Sequence, residues 1–201
     1  MKLGRDFYLQ PASACVKGFL GKKLIFNTAQ GQLAGIIFDV EAYPAFVDDV
    51  HHGNKRTPRT EIMYREGGFA YVYLIYGTWY QFAVVVNKED IPDVVFIRGV
   101  VPIEGIPAMR KNLGRDVPDT VELANSPGKL CKSFGITKEL YATDLTGDTL
   151  WLEDIGLKVS PGLIKQLKRV GINPKYEGAT AELRFRILPT SLRSDLDRTP
   201  P

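Results

Sequence analysis

Apolar positions fall mostly in short β-branched or alternating runs, and only a few brief stretches carry helical spacing. Lys23 to Asn27 and Leu33 to Tyr43 predict two strands joined around Gly31. Phe69 to Asn87, dense in Tyr, Val, Trp and Phe with one break at Gly77-Thr78, predicts a hairpin with an aromatic tip. Val94 to Pro102, Leu150 to Glu153 and Glu182 to Leu188 add further strands. Pro11 to Phe19, stopped at Gly21, reads as a short helix. Pro107 to Asn112, Pro127 to Phe134 and Pro161 to Val170 also read as helices, each opening near a proline that suits a first turn. Strands outnumber helices without regular alternation. The expected fold is therefore α+β: a mixed or antiparallel curved sheet flanked by helices, with a protruding β-hairpin.

Composition narrows this further. At 201 residues, 44% hydrophobic and 24% charged, the chain suits one globular domain over residues 1–201 and excludes whole-chain disorder. No apolar run is long enough to span a bilayer, and Asp6 and Gln10 interrupt the segment where a signal peptide needs apolar residues. The expectation is a cytoplasmic protein, nucleoid-associated in a bacterium, with no membrane partner. Cys15 and Cys131 are too few and too far apart for a disulfide framework or a cysteine zinc site. Neither a G-x-G-x-x-G nor a P-loop pattern is present.

Net charge is only +3, but its distribution is uneven. Lys55, Arg56 and Arg59 stand without a nearby acid in Gly53 to Thr60, as do Lys158, Lys165, Lys168, Arg169 and Lys175 in Gly156 to Tyr176. Asp39, Glu41, Asp48 and Asp49 gather just before the first basic stretch. Either basic run suits an anionic partner or an ordinary solvated face.

Glu41 lies near the end of an apolar strand, and Tyr43, two residues on, falls on the same face because strand side chains alternate. A carboxylate at the lip of an apolar pocket beside a flat ring can activate water against a stacked planar ligand; a strand-end ion pair is the plainer reading. Arg98, between Ile97 and Gly99, is an expensive charge unless an anion answers it. His51 and His52 are adjacent, cannot both face one metal from a strand, and have no third ligand at metal spacing. On the hairpin, Tyr71, Tyr73 and Ile75 share a face, and Tyr76 next to the turn is placed to protrude.

Val40-Glu41-Ala42-Tyr43, His52, Arg56-Thr57-Pro58-Arg59, Tyr71 to Gly77, Ile97-Arg98, Pro102 to Gly105 and Ser126 to Cys131 together resemble the alkyladenine (3-methyladenine) DNA glycosylase family, in order and spacing, from about Leu3 to Leu188. The resemblance implies a monofunctional repair enzyme needing no metal or organic cofactor, and a monomer is expected because a flipping enzyme needs one face on one duplex. Its partner would be double-stranded DNA containing a damaged purine, which is flipped out and cut at its N-glycosidic bond. By position, Glu41 would be the general base and Arg98 would help hold the water and a phosphate. Tyr43 and Tyr73 would sandwich the base, His52 would contact it, and Tyr76 would fill the gap left in the duplex. Arg56, Arg59 and Lys129 would meet the DNA backbone. Ala83 departs from the pattern: the family usually carries an asparagine there that clashes with the guanine amine, so this chain is expected to tolerate alkylated guanines. A non-catalytic nucleic-acid-binding member of the same fold is the alternative, and a small-molecule nucleosidase a third reading.

Overall fold

The computed structural model describes residues 1–75 and 77–196. Its centre is an eight-stranded sheet: β1 (Lys23–Thr28), β2 (Gly31–Tyr43), β3 (Ala70–Ile75), β4 (Trp79–Val85), β5 (Val94–Glu104), β6 (Leu150–Glu153), β7 (Lys165–Leu167) and β8 (Arg184–Arg186). The main path runs β3-β4-β5-β2-β1-β6, while β8 pairs with both β2 and β7, and every pairing is antiparallel. With α1 (Arg5–Tyr8), α2 (Ala12–Cys15), α3 (Ile106–Leu113), α4 (Pro127–Phe134) and α5 (Pro189–Leu196), this is the α+β architecture expected. Among the described residues no helix is long and apolar enough to cross a membrane.

Period-two alternation divides the sheet into two unlike faces. Val40 and Ala42 of β2, Val72 of β3, Phe82 and Val84 of β4, and Val95 and Ile97 of β5 enter the main core, with Met109 of α3 and Leu130 and Phe134 of α4. Tyr71, Ala83, Val85, Val94 and Phe96 turn the other way into a second apolar cluster with Ile62 and Met63, against which Tyr43 and Tyr73 pack. The first face is a filled core. The second carries the cavity described below.

β2 reaches both faces because its neighbours change along its length. On one edge it pairs with β1 and then, over Asp39–Glu41, with β8; on the other it follows β5. Its register with β5 slips near Asp39, where Phe38 and Arg98 are the extra residues of successive bulges. Such bulges bend a strand and re-aim side chains, here beside Glu41.

The helices fit their sequence signals. α4 begins with Pro127 and ends at Gly135, whose φ of 72° suits a left-handed cap, with Ile136 N–H bonded to the Cys131 carbonyl at 2.8 Å. One expectation fails: Pro161 to Val170 is not a helix but a 3-10 turn at Pro161–Leu163 followed by β7. Gly162 and the β-branched Ile164 and Val170 weaken its helix preference, and pairing with β8 satisfies its backbone instead.

Candidate active site

A cavity of about 1000 Å³ opens on the second face of the sheet. Strand side chains of alternating register supply much of its wall: Tyr73 from β3; Trp79, Gln81 and Ala83 from β4; Phe96 and Arg98 from β5. His51, His52 and Arg59 close it on one side, the start of α4 on another, and Val170 to Ile172 on a third. At α4, Gly128 is required by packing, since a Cβ there would stand 2.7 Å from the Trp79 ring.

Glu41 lies immediately behind this wall, with no exposed surface. Its Oε1 accepts from the Val170 N–H at 2.9 Å and faces Arg98 Nη1 at 3.1 Å; its Oε2 accepts from the Tyr43 hydroxyl at 3.0 Å. All three partners line the cavity. Burial pushes the Glu41 pKa above the ordinary glutamate value, with Arg98, the Val170 N–H and the Tyr43 hydroxyl opposing. Burial outweighs those three partners, so the carboxylate is more basic than one in water. Arg98 Nε is buried without a protein partner, so its guanidinium is not exhausted by Glu41.

The anion answering Arg98 is thus Glu41, and the ion pair sits against the cavity rather than apart from it. Tyr43 is held by more than its hydroxyl. The Arg169 guanidinium lies 4.5 Å from its ring centre, donates to the Ala42 carbonyl at 3.3 Å and to Gly178 O at 3.0 Å, and pairs with Asp48 in a buried bidentate bridge. Burial and the nearby Glu41 charge raise the Tyr43 pKa, so its hydroxyl stays protonated and donates.

Tyr73 stacks on Tyr71 with centroids 4.7 Å apart, and His52 meets Tyr73 edge-on at 5.6 Å. Arg59 ties this group together: Nε donates to the Tyr71 hydroxyl at 3.0 Å, Nη2 is 3.2 Å from His52 Nδ1, and Cζ lies 4.9 Å from the Tyr73 ring centre. The cavity therefore brings together Tyr43, His52, Arg59, Tyr73, Ala83, Arg98 and Lys129, of which Tyr43 and Arg98 also contact the carboxylate of Glu41. Arg56 is elsewhere, paired with Glu61 at 2.6 Å and Asp90 at 3.3 Å and lying over Tyr64. Tyr76 lies outside the described residues.

The acidic residues are not a counterweight to the first basic stretch. Asp39 pairs with Arg184, Asp48 with Arg169, and Asp49 accepts the N–H groups of Glu177 and Gly178, each at 2.9 Å. They hold the C-terminal segment against the sheet and so deliver Val170 to Glu41. A main-chain donor 129 residues away leaves no mark in a sequence pattern. His51 and Gln81 are cavity residues that the sequence reading did not assign; Gln81 follows from the same alternation that places Ala83. Among the described residues, no group of three or more His, Cys, Asp or Glu side chains is placed to hold a metal ion.

A carboxylate behind aromatic walls, with guanidinium groups beside it, is an arrangement that can serve general-base chemistry on a planar ligand. Comparison makes the class specific. A family model described as Methylpurine-DNA glycosylase (MPG) matches residues 6–190, and the chain belongs to that family of DNA glycosylases, hydrolases of N-glycosyl bonds. A Clostridium acetobutylicum protein named as a candidate 3-methyladenine DNA glycosylase is 40% identical over 195 residues, covering 93% of this chain and 94% of its own. A similarly named Natranaerobius thermophilus protein is 45% identical over 147 residues, 72% of this chain and 74% of its own. The mouse DNA-3-methyladenine glycosylase is 34% identical across 98% of this chain and 62% of its own length.

Proposed function

We propose that this protein is a monofunctional repair enzyme that extrudes an alkylated or deaminated purine from duplex DNA and hydrolyses its N-glycosidic bond, leaving an abasic site. The observation that carries this reading is the Glu41 carboxylate, fully buried yet bonded to three residues that all line an aromatic cavity.

A carboxylate offers about four lone-pair sites. Three are engaged by Arg98, Val170 and Tyr43, which leaves room for a water molecule whose proton Glu41 takes as it attacks the sugar carbon. Arg98 positions that water and a neighbouring phosphate. Alkylation at N3 or N7 makes the purine cationic, a good leaving group that ring faces such as those of Tyr43 and Tyr73 attract. Departure passes through an oxocarbenium-like state that the adjacent carboxylate stabilises. No enzyme nucleophile is needed. His52 contacts the base edge, and Arg59 and Lys129 meet the DNA backbone at the rim, with Arg56 farther out. Tyr76 keeps the gap-filling role implied by the family resemblance. The enzyme works as a monomeric single domain of the cell's DNA compartment.

The small Ala83 side chain, 1% exposed, leaves space at the cavity wall for a guanine amine, which supports activity on 7-methylguanine as well as 3-methyladenine. The test is single-turnover base release from methylated duplex by wild type and Glu41→Gln side by side, with abasic sites revealed by alkali. A lone general base contributes about 10² to 10⁴ in rate, so Glu41→Gln is expected to lose that much while still binding the duplex. A loss smaller than about tenfold removes Glu41 from the chemistry.

A further inference from the structure

The loop from Pro44 to Asp49 leaves the cavity wall at Tyr43 and rejoins it at Val50. At its tip stand Phe46 and Val47, 64% and 84% exposed, which apart from Met1 are the most exposed large apolar side chains among the described residues. Each is three residues from a wall residue, so its Cα lies within about 11 Å of the Cα of a residue lining the cavity.

The tip is built to keep these side chains in water. Phe46 has a φ of 66°, a left-handed conformation that suits glycine and that a bulky residue takes only under strain. Asn54 locks it there: its Oδ1 accepts from the Phe46 N–H at 2.8 Å, and its Nδ2 donates to the Asp48 carbonyl at 2.6 Å. The Ala45 N–H donates to buried Asp93 at 2.7 Å. Asp48 grips Arg169, the neighbour of Val170, and Asp49 grips the N–H of Glu177, the neighbour of Tyr176. Val170 and Tyr176 are also exposed, so the apolar surface of the tip continues onto this segment. Within two residues of these anchors, exposed Lys55, Lys168 and Lys175 have no side-chain partner among the described residues, and they outnumber the carboxylates of Asp49 and Glu177.

An exposed apolar patch rimmed by charge marks an interaction surface, and its position and sign say what it meets. Across the cavity, Leu74 and Trp79 of the hairpin are likewise exposed wall residues. A duplex whose base fills the cavity lies over its mouth and reaches the loop that springs from the wall. We propose that Phe46 and Val47 form a DNA-contacting tip that packs against the bases and sugars beside the extruded purine, while Lys55, Lys168 and Lys175 meet phosphates. The tip rests on the glycosylase reading above and is a separate element from the β3–β4 hairpin. Apolar side chains entering a groove press against partly unstacked base steps, and a strained, locked turn presents them without a cost in ordering.

Fluorescence anisotropy measures binding of the full chain to a labelled duplex carrying a tetrahydrofuran abasic analogue, across a salt series. Phe46→Gly suits the left-handed backbone, so its melting temperature is expected to match or exceed that of wild type. Its duplex affinity is expected to fall about tenfold, and Val47→Ser added to it to deepen the loss. The slope of log affinity against log salt stays at the wild-type value for Phe46→Gly, since no phosphate contact is removed, whereas Lys55→Met lowers that slope by about one. Affinity of the folded Phe46→Gly variant within about twofold of wild type overturns the tip and leaves the patch to another partner. A loss accompanied by a flatter salt slope overturns the apolar contact. Single-turnover release of 3-methyladenine, run in parallel, separates the two readings: duplex binding that depends on Phe46, without release by the wild type, supports the tip and sinks the glycosylase reading.

Discussion

Replacing Asp48 with asparagine tests how the C-terminal segment is held and what it does for the site. The Asp48 and Arg169 side chains are 3% and 0% exposed, so the substitution strands a guanidinium with two carbonyl oxygens and a neutral amide as its remaining acceptors. Removing one partner of a buried pair costs about 3–5 kcal/mol. For a chain of this length that lowers the melting temperature by about 6–20 °C, readable by circular dichroism. Base release should fall as well, because Arg169 braces the Tyr43 ring and the next residue supplies the N–H to Glu41. The double variant Asp48→Leu with Arg169→Met separates the effects. Apolar side chains in place of both charges restore much of the stability, yet the cation over Tyr43 is gone and activity stays low. As a control, Arg56→Met breaks an exposed pair and leaves the melting temperature unmoved. A shift below about 2 °C for Asp48→Asn would refute the claim that this pair fastens the segment.

If Glu41 acts as the proposed general base, base release rises with pH through its elevated pKa; the acid limb then lies above the usual glutamate range and disappears from the residual rate of Glu41→Gln. The same group sets a stability trend: its folded pKa is raised, so its contribution is fully present below the unfolded value and is lost as pH climbs through the folded one, a slope that urea titrations should find missing in Glu41→Gln. Ala83→Asn should lower release of 7-methylguanine relative to 3-methyladenine by about tenfold, and an unchanged ratio would mean that Ala83 does not govern guanine acceptance. Gly128→Ala pushes a methyl against the Trp79 ring and should cost about 1–3 kcal/mol in denaturant unfolding with a change in tryptophan emission; wild-type values for both would show that the contact yields freely.

The strands were legible because alternation is a local property: Glu41 with Tyr43, and Tyr71 with Tyr73, fall on shared faces as spacing alone requires. The helices at Pro107 and Pro127 were legible from their start and stop residues. The segment after Pro161 was not, since its strand exists only through pairing with β8, and partners distant in sequence override weak local preference. The site was half visible. Its carboxylate, rings and Arg98 carry chemical signatures, whereas the Val170 N–H is a main-chain group and the Asp48–Arg169 bridge spans 121 residues. Even the sign of a basic stretch misled, because Arg169 is a buried brace rather than a surface cation.

That late arrival of Val170 bears on how the protein is made. While the chain is still emerging from the ribosome, β1 to β5 already carry Glu41, Arg98 and both tyrosines, yet a donor to the carboxylate has not been synthesised. A product that stops short of Val170 would carry a sheet whose Glu41 carboxylate lacks one of its three donors.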